Sequence, residues 1–283
     1  MLRIAVPNKG SLSEPAVTML KEAGYKQRRD SRELVLVDQE NNVEFFFLRP
    51  RDVAVYGGSG TLDAGITGRD LLIDSGASAL EHMSLGFARS TFRYAAPANT
   101  MTTIGDIAGK KVATSYPLLV KGHLEANNIT PANIVRLDGA VESSIKLGVG
   151  EVIADVVETG STLKAAGLEV FGEPILQSEA VLVINQNSAE LSSGIKTLAR
   201  RLQGVITARN YVIMDYVVAD ENLSAAIEVS PGFESPTVSP LHEQHWSAVR
   251  VMVPKKATNK IMDSLYEVGA RAIIVTSIHA SRL

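Results

Sequence analysis

The residues with the plainest chemical promise lie between Val152 and Leu163. The apolar run Val152-Ile153-Ala154 reads as a buried strand. It carries Asp155, continues through Val156 and Val157, and breaks at Glu158-Thr159-Gly160-Ser161-Thr162 into Leu163-Lys164-Ala165-Ala166. That is a strand feeding a polar turn that opens a helix. Free backbone N–H groups, the hydroxyls of Thr159, Ser161 and Thr162, and the positive end of a helix dipole make such a turn a phosphate pocket. The same residues also cap ordinary helix starts, and the turn alone does not choose between the two readings. Asp155 is costly to bury without a partner, so it is expected to face a cleft. Glu142, in Gly139-Ala140-Val141-Glu142, supplies a second carboxylate near another helix start. Carboxylates beside a phosphate pocket suit a sugar phosphate, because they accept hydrogen bonds from sugar hydroxyls.

Cations stand where an anion would need them. Leu2 to Val6 reads as a first strand, and Lys9 follows it in Pro7-Asn8-Lys9-Gly10; Val43 to Leu48 reads as another, and Arg49 follows it. Open α/β sheets bind ligands at the carboxyl ends of their strands. Lys9 is then either a ligand-binding cation or a solvated turn lysine. A guanidinium at Arg49 could grip a phosphate in a bidentate manner. Pro50 is expected to stop regular structure, and Arg51 to be a surface charge. Tyr116, just past a strand end, either lines the cleft or packs.

The element order that positions these residues contains a repeat. Gly65-Ile66-Thr67-Gly68-Arg69-Asp70-Leu71-Leu72 echoes Val156-Val157-Glu158-Thr159-Gly160-Ser161-Thr162-Leu163: each is a short apolar strand breaking through Thr-Gly into a helix. This predicts two related lobes, each pointing a helix N-terminus into a shared cleft. Ser90 to Pro97 and Ser178 to Asn185 read as the two crossings between them. The expected boundaries are 1–90 with 184–209 for lobe I, 91–183 for lobe II, and 210–283 for a C-terminal domain. Residues 189–208 read as a long helix leading out of the lobes. Beyond it the pattern β-α-β-β-α-β is that of a ferredoxin-like domain.

Composition narrows the classes. The 283 residues are 45% apolar and 21% charged, with net charge −3, which gives no reason to expect a nucleic-acid partner. There is no cysteine, so disulfides, thiolate chemistry and zinc–sulfur sites are excluded. No signal-peptide pattern or membrane-length apolar run is present, and a cytoplasmic protein without a membrane partner is expected. The five histidines do not assemble into a site. No Walker loop, dinucleotide fingerprint or nucleophile elbow occurs.

Several stretches together resemble the ATP phosphoribosyltransferase family in its long, histidine-regulated form. The family signature of Glu, a Gly six residues on, then Asp and Ser/Thr-Gly-x-Thr-Leu is matched by Glu142, Gly148, Asp155 and Thr159-Gly160-Ser161-Thr162-Leu163. Pro7-Asn8-Lys9-Gly10, Phe45-Phe46-Phe47-Leu48-Arg49-Pro50 and Gly65-Ile66-Thr67-Gly68-Arg69-Asp70 also look like its motifs.

The resemblance implies an α/β, two-lobed periplasmic-binding-protein-like core with a C-terminal ferredoxin-like regulatory domain. It implies attack of N1 of ATP on C1 of phosphoribosyl pyrophosphate (PRPP), with pyrophosphate leaving and Mg2+ assisting. By position, Asp155 to Thr162 would hold the PRPP phosphate, with Asp155 and Glu142 on the ribose. Lys9 and Arg49 would meet pyrophosphate or ATP. Gly68, Arg69, Asp70, Leu71 and Tyr116 would form the ATP side. Histidine would inhibit from a pocket of Val217, Phe233, Ser235, Thr237 and Ala272, and the oligomer would shift between dimer and hexamer. Val217 departs from the family pattern, where an Asp or Asn is expected, so weakened inhibition is anticipated. The rival reading is a non-catalytic two-lobed protein for a small anion with a sensor domain; the two carboxylates beside the phosphate turn count against it.

Overall fold

The computed structural model describes residues 1–28, 30, 32–157, 160–185 and 192–282. The chain opens with β1 (Leu2–Pro7), α1 (Ser13–Glu22), the hairpin β2 (Val35–Asp38) and β3 (Val43–Leu48), α2 (Pro50–Gly58), β4 (Ala64–Gly68), α3 (Arg69–Ser75) and β5 (Ala79–Ser84). It continues with β6 (Ser90–Pro97), β7 (Lys111–Thr114), α4 (Pro117–Ala126), β8 (Asn133–Arg136), α5 (Ser143–Lys146), β9 (Val152–Val157), α6 (Ser161–Ala165), β10 (Leu168–Ser178) and β11 (Ala180–Asn185). After α7 (Ser193–Asn210) come β12 (Tyr211–Ala219), α8 (Leu223–Val229), β13 (Thr237–Pro240), β14 (Trp246–Pro254), α9 (Thr258–Glu267) and β15 (Arg271–Ser277).

Two sheets carry the first part of the chain, in the orders β2-β3-β1-β4-β11-β5 and β10-β6-β9-β7-β8. Without the edge strand β2, the first reads β3-β1-β4-β11-β5, and the second, read backwards, β8-β7-β9-β6-β10. In each, a parallel trio is followed by an antiparallel strand that has crossed from the other sheet, and then by a further antiparallel strand. The two lobes therefore share one topology, and the units β4–α3 and β9–α6 occupy equivalent places in it. The echo between Gly65–Leu72 and Val156–Leu163 falls on those two units.

Central strands are apolar without alternation because helices cover both faces. Ile4, Ala5 and Val6 of β1 and Val181, Leu182 and Val183 of β11 are fully buried. In lobe II one core packs Phe92, Tyr94 and Ala154 against Val120 and Leu124 of α4; the opposite face packs Ala95 and Ile153 against Val141 and Leu163.

Some elements differ from the reading by pattern. Pro50 ends β3 but does not end regular structure: it takes the first turn of α2, where its missing N–H costs nothing. β10 is hidden in sequence because Gly172, Glu173 and Pro174 interrupt it and its register shifts between Phe171 and Leu176. The long helix begins at Ser193; the residues read as its start, 189–191, lie outside the described residues.

Compactness divides the chain into Met1–Lys21 with Tyr25–Ala199, which holds both lobes, and Glu22–Gly24 with Arg200–Leu283. The second unit has the antiparallel order β13-β14-β12-β15 with α8 and α9 between strands, the ferredoxin-like arrangement. Burial alternates strictly along β12, so Val212, Met214, Tyr216 and Val218 face Ala226 of α8 and Leu265 of α9.

Gly65 sits in mid-β4, and a Cβ there would lie 2.5 Å from Val53 Cγ1 of α2 and 3.1 Å from Ala5 Cβ of β1. Gly65→Ala is expected to destabilise the protein by about 1–3 kcal/mol. A lowered urea midpoint would register this, and an unchanged midpoint would mean that α2 shifts freely.

Candidate functional site

β9 delivers its chemistry at its carboxyl end. Gly160 lies at φ 71, a conformation other residues adopt only with strain, and it stands at the N-cap of α6. Leu163 anchors that short helix in the lobe II core, 6% exposed. Glu142, Asp155, Val156, Val157, Gly160, Ser161, Thr162 and Leu163 line one recess of about 240 Å³. Glu158 and Thr159, expected in the same turn, lie outside the described residues. The first-turn N–H groups of α6 have no acceptor within their own helix, and such groups suit an anion.

Asp155 is the electrostatically unusual group. Burial pushes its carboxyl up to about 6; the hydrogen bond from its neighbour's N–H, Val156 N to Asp155 Oδ1 at 2.8 Å, opposes this, while the negative charges of Glu142 and Asp70 add to it. Glu142 and Asp155 thus share one recess within the field of Asp70, which favours a ligand with developing positive charge. Among the described residues no cluster of three His, Asp or Glu offers a ready-made metal site. A divalent ion carried in by a phosphorylated ligand would still relieve the repulsion between Glu142 and Asp155.

A second recess, of about 220 Å³, adjoins the first and shares Val156 with it. Lys9, Gly68, Asp70, Leu71 and Tyr116 line it, together with Gly10, Ser11, Leu12, Pro50, Ala88 and Ser90. The structure therefore gathers most of the expected residues around two joined recesses. Arg49 is exposed at the N-cap of α2, outside both linings.

Arg69 turns towards the crossovers. Its guanidinium donates to Glu81 at 2.7 and 2.8 Å, to Ser84 Oγ at 2.8 Å and to the Gln177 carbonyl at 3.1 Å, and lies 3.5 Å from Glu179. The N-terminus of α3 is likewise taken. Arg69 N–H donates to the Glu179 carbonyl at 3.0 Å and Asp70 N–H to Ser178 Oγ at 3.1 Å. The α6 start instead lines a recess, through Gly160, Ser161 and Thr162.

Asp70 is 7% exposed and accepts from the Ser178 hydroxyl at 2.7 Å. Burial, with the negative charge of Asp70 close by, raises the Tyr116 phenol well above its ordinary pKa. Tyr116 packs edge-on against Phe92 at 5.0 Å, so it lines the recess and packs at once.

Arg51 is not the surface charge expected from sequence. It pairs with Asp74, donates to the Ser115 carbonyl at 2.8 Å and lies 5.1 Å from the centre of the Tyr116 ring. Sequence reading passed over Asp74, which stands four residues after Asp70; that spacing places both carboxylates on one face of a helix and was the available signal.

In the second unit Thr237 lies across from Arg250, which pairs with Asp215 at 2.7 Å, and Val217 lies two residues along β12 on the same half-buried face. Ala272 has φ 48 beside the register shift between Asp215 and Val217. Phe233 is 46% exposed and meets Tyr211 edge-on at 5.2 Å, and Ser235 is exposed nearby in sequence.

The sequence matches the family model described as ATP phosphoribosyltransferase over residues 49–204, and that described as HisG, C-terminal domain, over residues 208–280. It is 61% identical to the ATP phosphoribosyltransferase of Arthrobacter sp. (strain FB24), with 100% of both chains covered. Identity to the proteins of the same name from Kocuria rhizophila and Streptomyces coelicolor is also 61%, again over 100% of each chain. Among solved structures, a chain of the ATP phosphoribosyl transferase (HisG:HisZ) complex from Thermotoga maritima is 28% identical with a TM-score of 0.63. The match covers 73% of this chain and 98% of that one.

A carboxyl raised on folding favours the folded state only when protonated. Asp155→Asn should therefore raise the unfolding midpoint at pH 8, and the gain should fade as pH falls from about 6 towards 3.8. A gain independent of pH in thermal melts would contradict this electrostatic origin.

Proposed function

The chain belongs to the ATP phosphoribosyltransferase family, and from that premise we propose how its cleft divides the two substrates. The reaction is the transfer of a phosphoribosyl group to ATP in histidine biosynthesis. PRPP places its phosphate at Asp155–Thr162 and its ribose hydroxyls on Asp155 and Glu142. ATP enters beside Lys9, Gly68, Asp70, Leu71 and Tyr116. The observation that carries this assignment is the pair of recesses joined at Val156, one built around carboxylates and a helix start, the other around a lysine and an aromatic ring. Each falls below the ~300 Å³ of a typical small-molecule site, so two large anions need both.

The chemistry asked of the protein is then modest. N1 of adenine has a lone pair, so attack on C1 of the ribose needs no base to remove a proton first. The chain's part is to hold N1 and C1 in line and to balance the positive charge that grows on the ribose as pyrophosphate departs. Asp155 and Glu142 face that charge. Lys9, with Arg49 folding in from the surface, meets pyrophosphate or the ATP phosphates. Arg69 contributes through the crossovers. Mg2+ would fit here beside Glu142 and Asp155 as a partner of the pyrophosphate, and it would supply charge neutralisation.

We assign residues 1–90 with 184–209 to lobe I, 91–183 to lobe II and 210–283 to a regulatory domain in which histidine binds near Val217, Phe233, Ser235, Thr237 and Ala272. A cytoplasmic oligomer exchanging between dimer and hexamer completes the proposal. No helix among the described residues is long and apolar enough to cross a membrane. Valine cannot hydrogen-bond an effector's amino group, which makes inhibition weaker than a polar residue would give.

Pyrophosphate release should require ATP, PRPP and magnesium together; release with any one of them omitted would contradict the assignment. Thr162→Val should raise KM for PRPP about tenfold, the value of one hydrogen bond to a charged group, with kcat little changed. An unaltered KM would leave the turn structural. Val217→Asn should shift the histidine dose–response curve severalfold lower, and an unmoved curve would remove position 217 from the pocket.

A further inference from the structure

Helix α4 of lobe II starts without a cap of its own. Its N-cap residue, Tyr116, makes no capping bond, and Pro117 follows. The cap comes from the other lobe. Asp74 of α3 accepts from the N–H groups of Leu118 at 2.9 Å and Leu119 at 3.2 Å through Oδ1. Its other oxygen pairs with Arg51 of α2, and its side chain is 2% exposed. Arg51 in turn bonds the Ser115 carbonyl and covers the Tyr116 ring. A protein carboxylate from lobe I thus occupies the helix start of lobe II, as an anionic ligand bridging two lobes would.

We propose that Asp74 and Arg51 are positioning residues that latch the two lobes together before substrate arrives, fixing Tyr116 against its recess. This rests on the reading of the joined recesses as the substrate cleft. Separating the lobes hydrates the Asp74 carboxylate instead of stranding it in the interior, so the latch can release. While it holds, neither substrate has to close the cleft.

Weakening the latch makes both substrates bear a common closing cost, lowering each apparent affinity by the fraction of protein that stays closed. Whichever substrate binds first relieves that cost for the other. An initial-rate grid over both substrates, on the full-length protein, tests this. Asp74→Ala should raise both KM values by about tenfold when the second substrate is scarce. The rise should largely vanish when the second substrate saturates, with kcat changed less than about twofold. Arg51→Lys, which keeps the charge but loses the planar fork, should show the same pattern at about threefold. Asp74→Asn, which keeps an acceptor for α4, should restore most of the wild-type behaviour.

A rise in one KM alone, a fall in kcat alone, or wild-type grids from folded Asp74→Ala and Arg51→Lys proteins would overturn the latch. If Asp74→Ala does not fold, the Arg51→Lys grid decides. Absence of activity in the wild-type protein would instead indict the reading of the cleft.

Discussion

Holding Asp155 as a carboxylate, partly withdrawn from water and facing Glu142 and Asp70, is the constraint on which the cleft depends. Such a group weakens the empty protein, because burial and like charges both oppose its ionisation. The arrangement becomes favourable when positive charge appears beside it. A ribosyl centre losing pyrophosphate develops that charge only as the reaction proceeds. With the ribose seated as proposed, the repulsion built into the resting site would be relieved more in the transition state than with bound substrate, which is the differential stabilisation that accelerates a reaction. In the proposed assignment the phosphate would sit against the N–H and hydroxyl groups of Gly160–Thr162, which carry no charge to cancel those carboxylates.

The fold supplies this geometry through one topological device used twice. In each lobe a parallel trio of strands meets a strand arriving from the other lobe. The central strand ends of both lobes therefore converge, and two crossovers keep them near. The two equivalent units differ in what they bond. In lobe II the start of α6 lines a recess with Glu142 and Asp155. In lobe I the corresponding turn after β4 is spent inside the protein: Ser178 and Glu179 of a crossover take the first N–H groups of α3, and Arg69 binds Glu81 and Ser84 of β5. Asp70 and Asp74 then extend from α3 to Tyr116 and to the start of α4.

Much of this was legible in the sequence because it rests on local pattern. The unalternating strands, the Thr-Gly turns, the crossings at Ser90 and Ser178, and the β-α-β-β-α-β order each leave a trace within a dozen residues. What escaped depends on partners distant in sequence. Arg51 looks like any surface arginine until Asp74 and Ser115 are beside it, and Asp74 looks like a polar position on a short helix until α4 needs a cap. Arg69 belongs to a motif expected to line the cleft, yet its donors go to Glu81, Ser84 and Gln177. β10 was hidden by its bulge. Residue type and spacing announce which groups could bind an anion, but the competition for them is settled only by what the folded chain brings near.

The most direct test of this account is a crystal structure of the protein with PRPP bound. The account predicts the 5′-phosphate in the α6 turn, within about 2.7–3.2 Å of the N–H and hydroxyl groups of Ser161 or Thr162. The ribose hydroxyls should then reach Asp155 and Glu142. A phosphate seated instead beside Lys9 and Tyr116, with the α6 turn left to water, would contradict it.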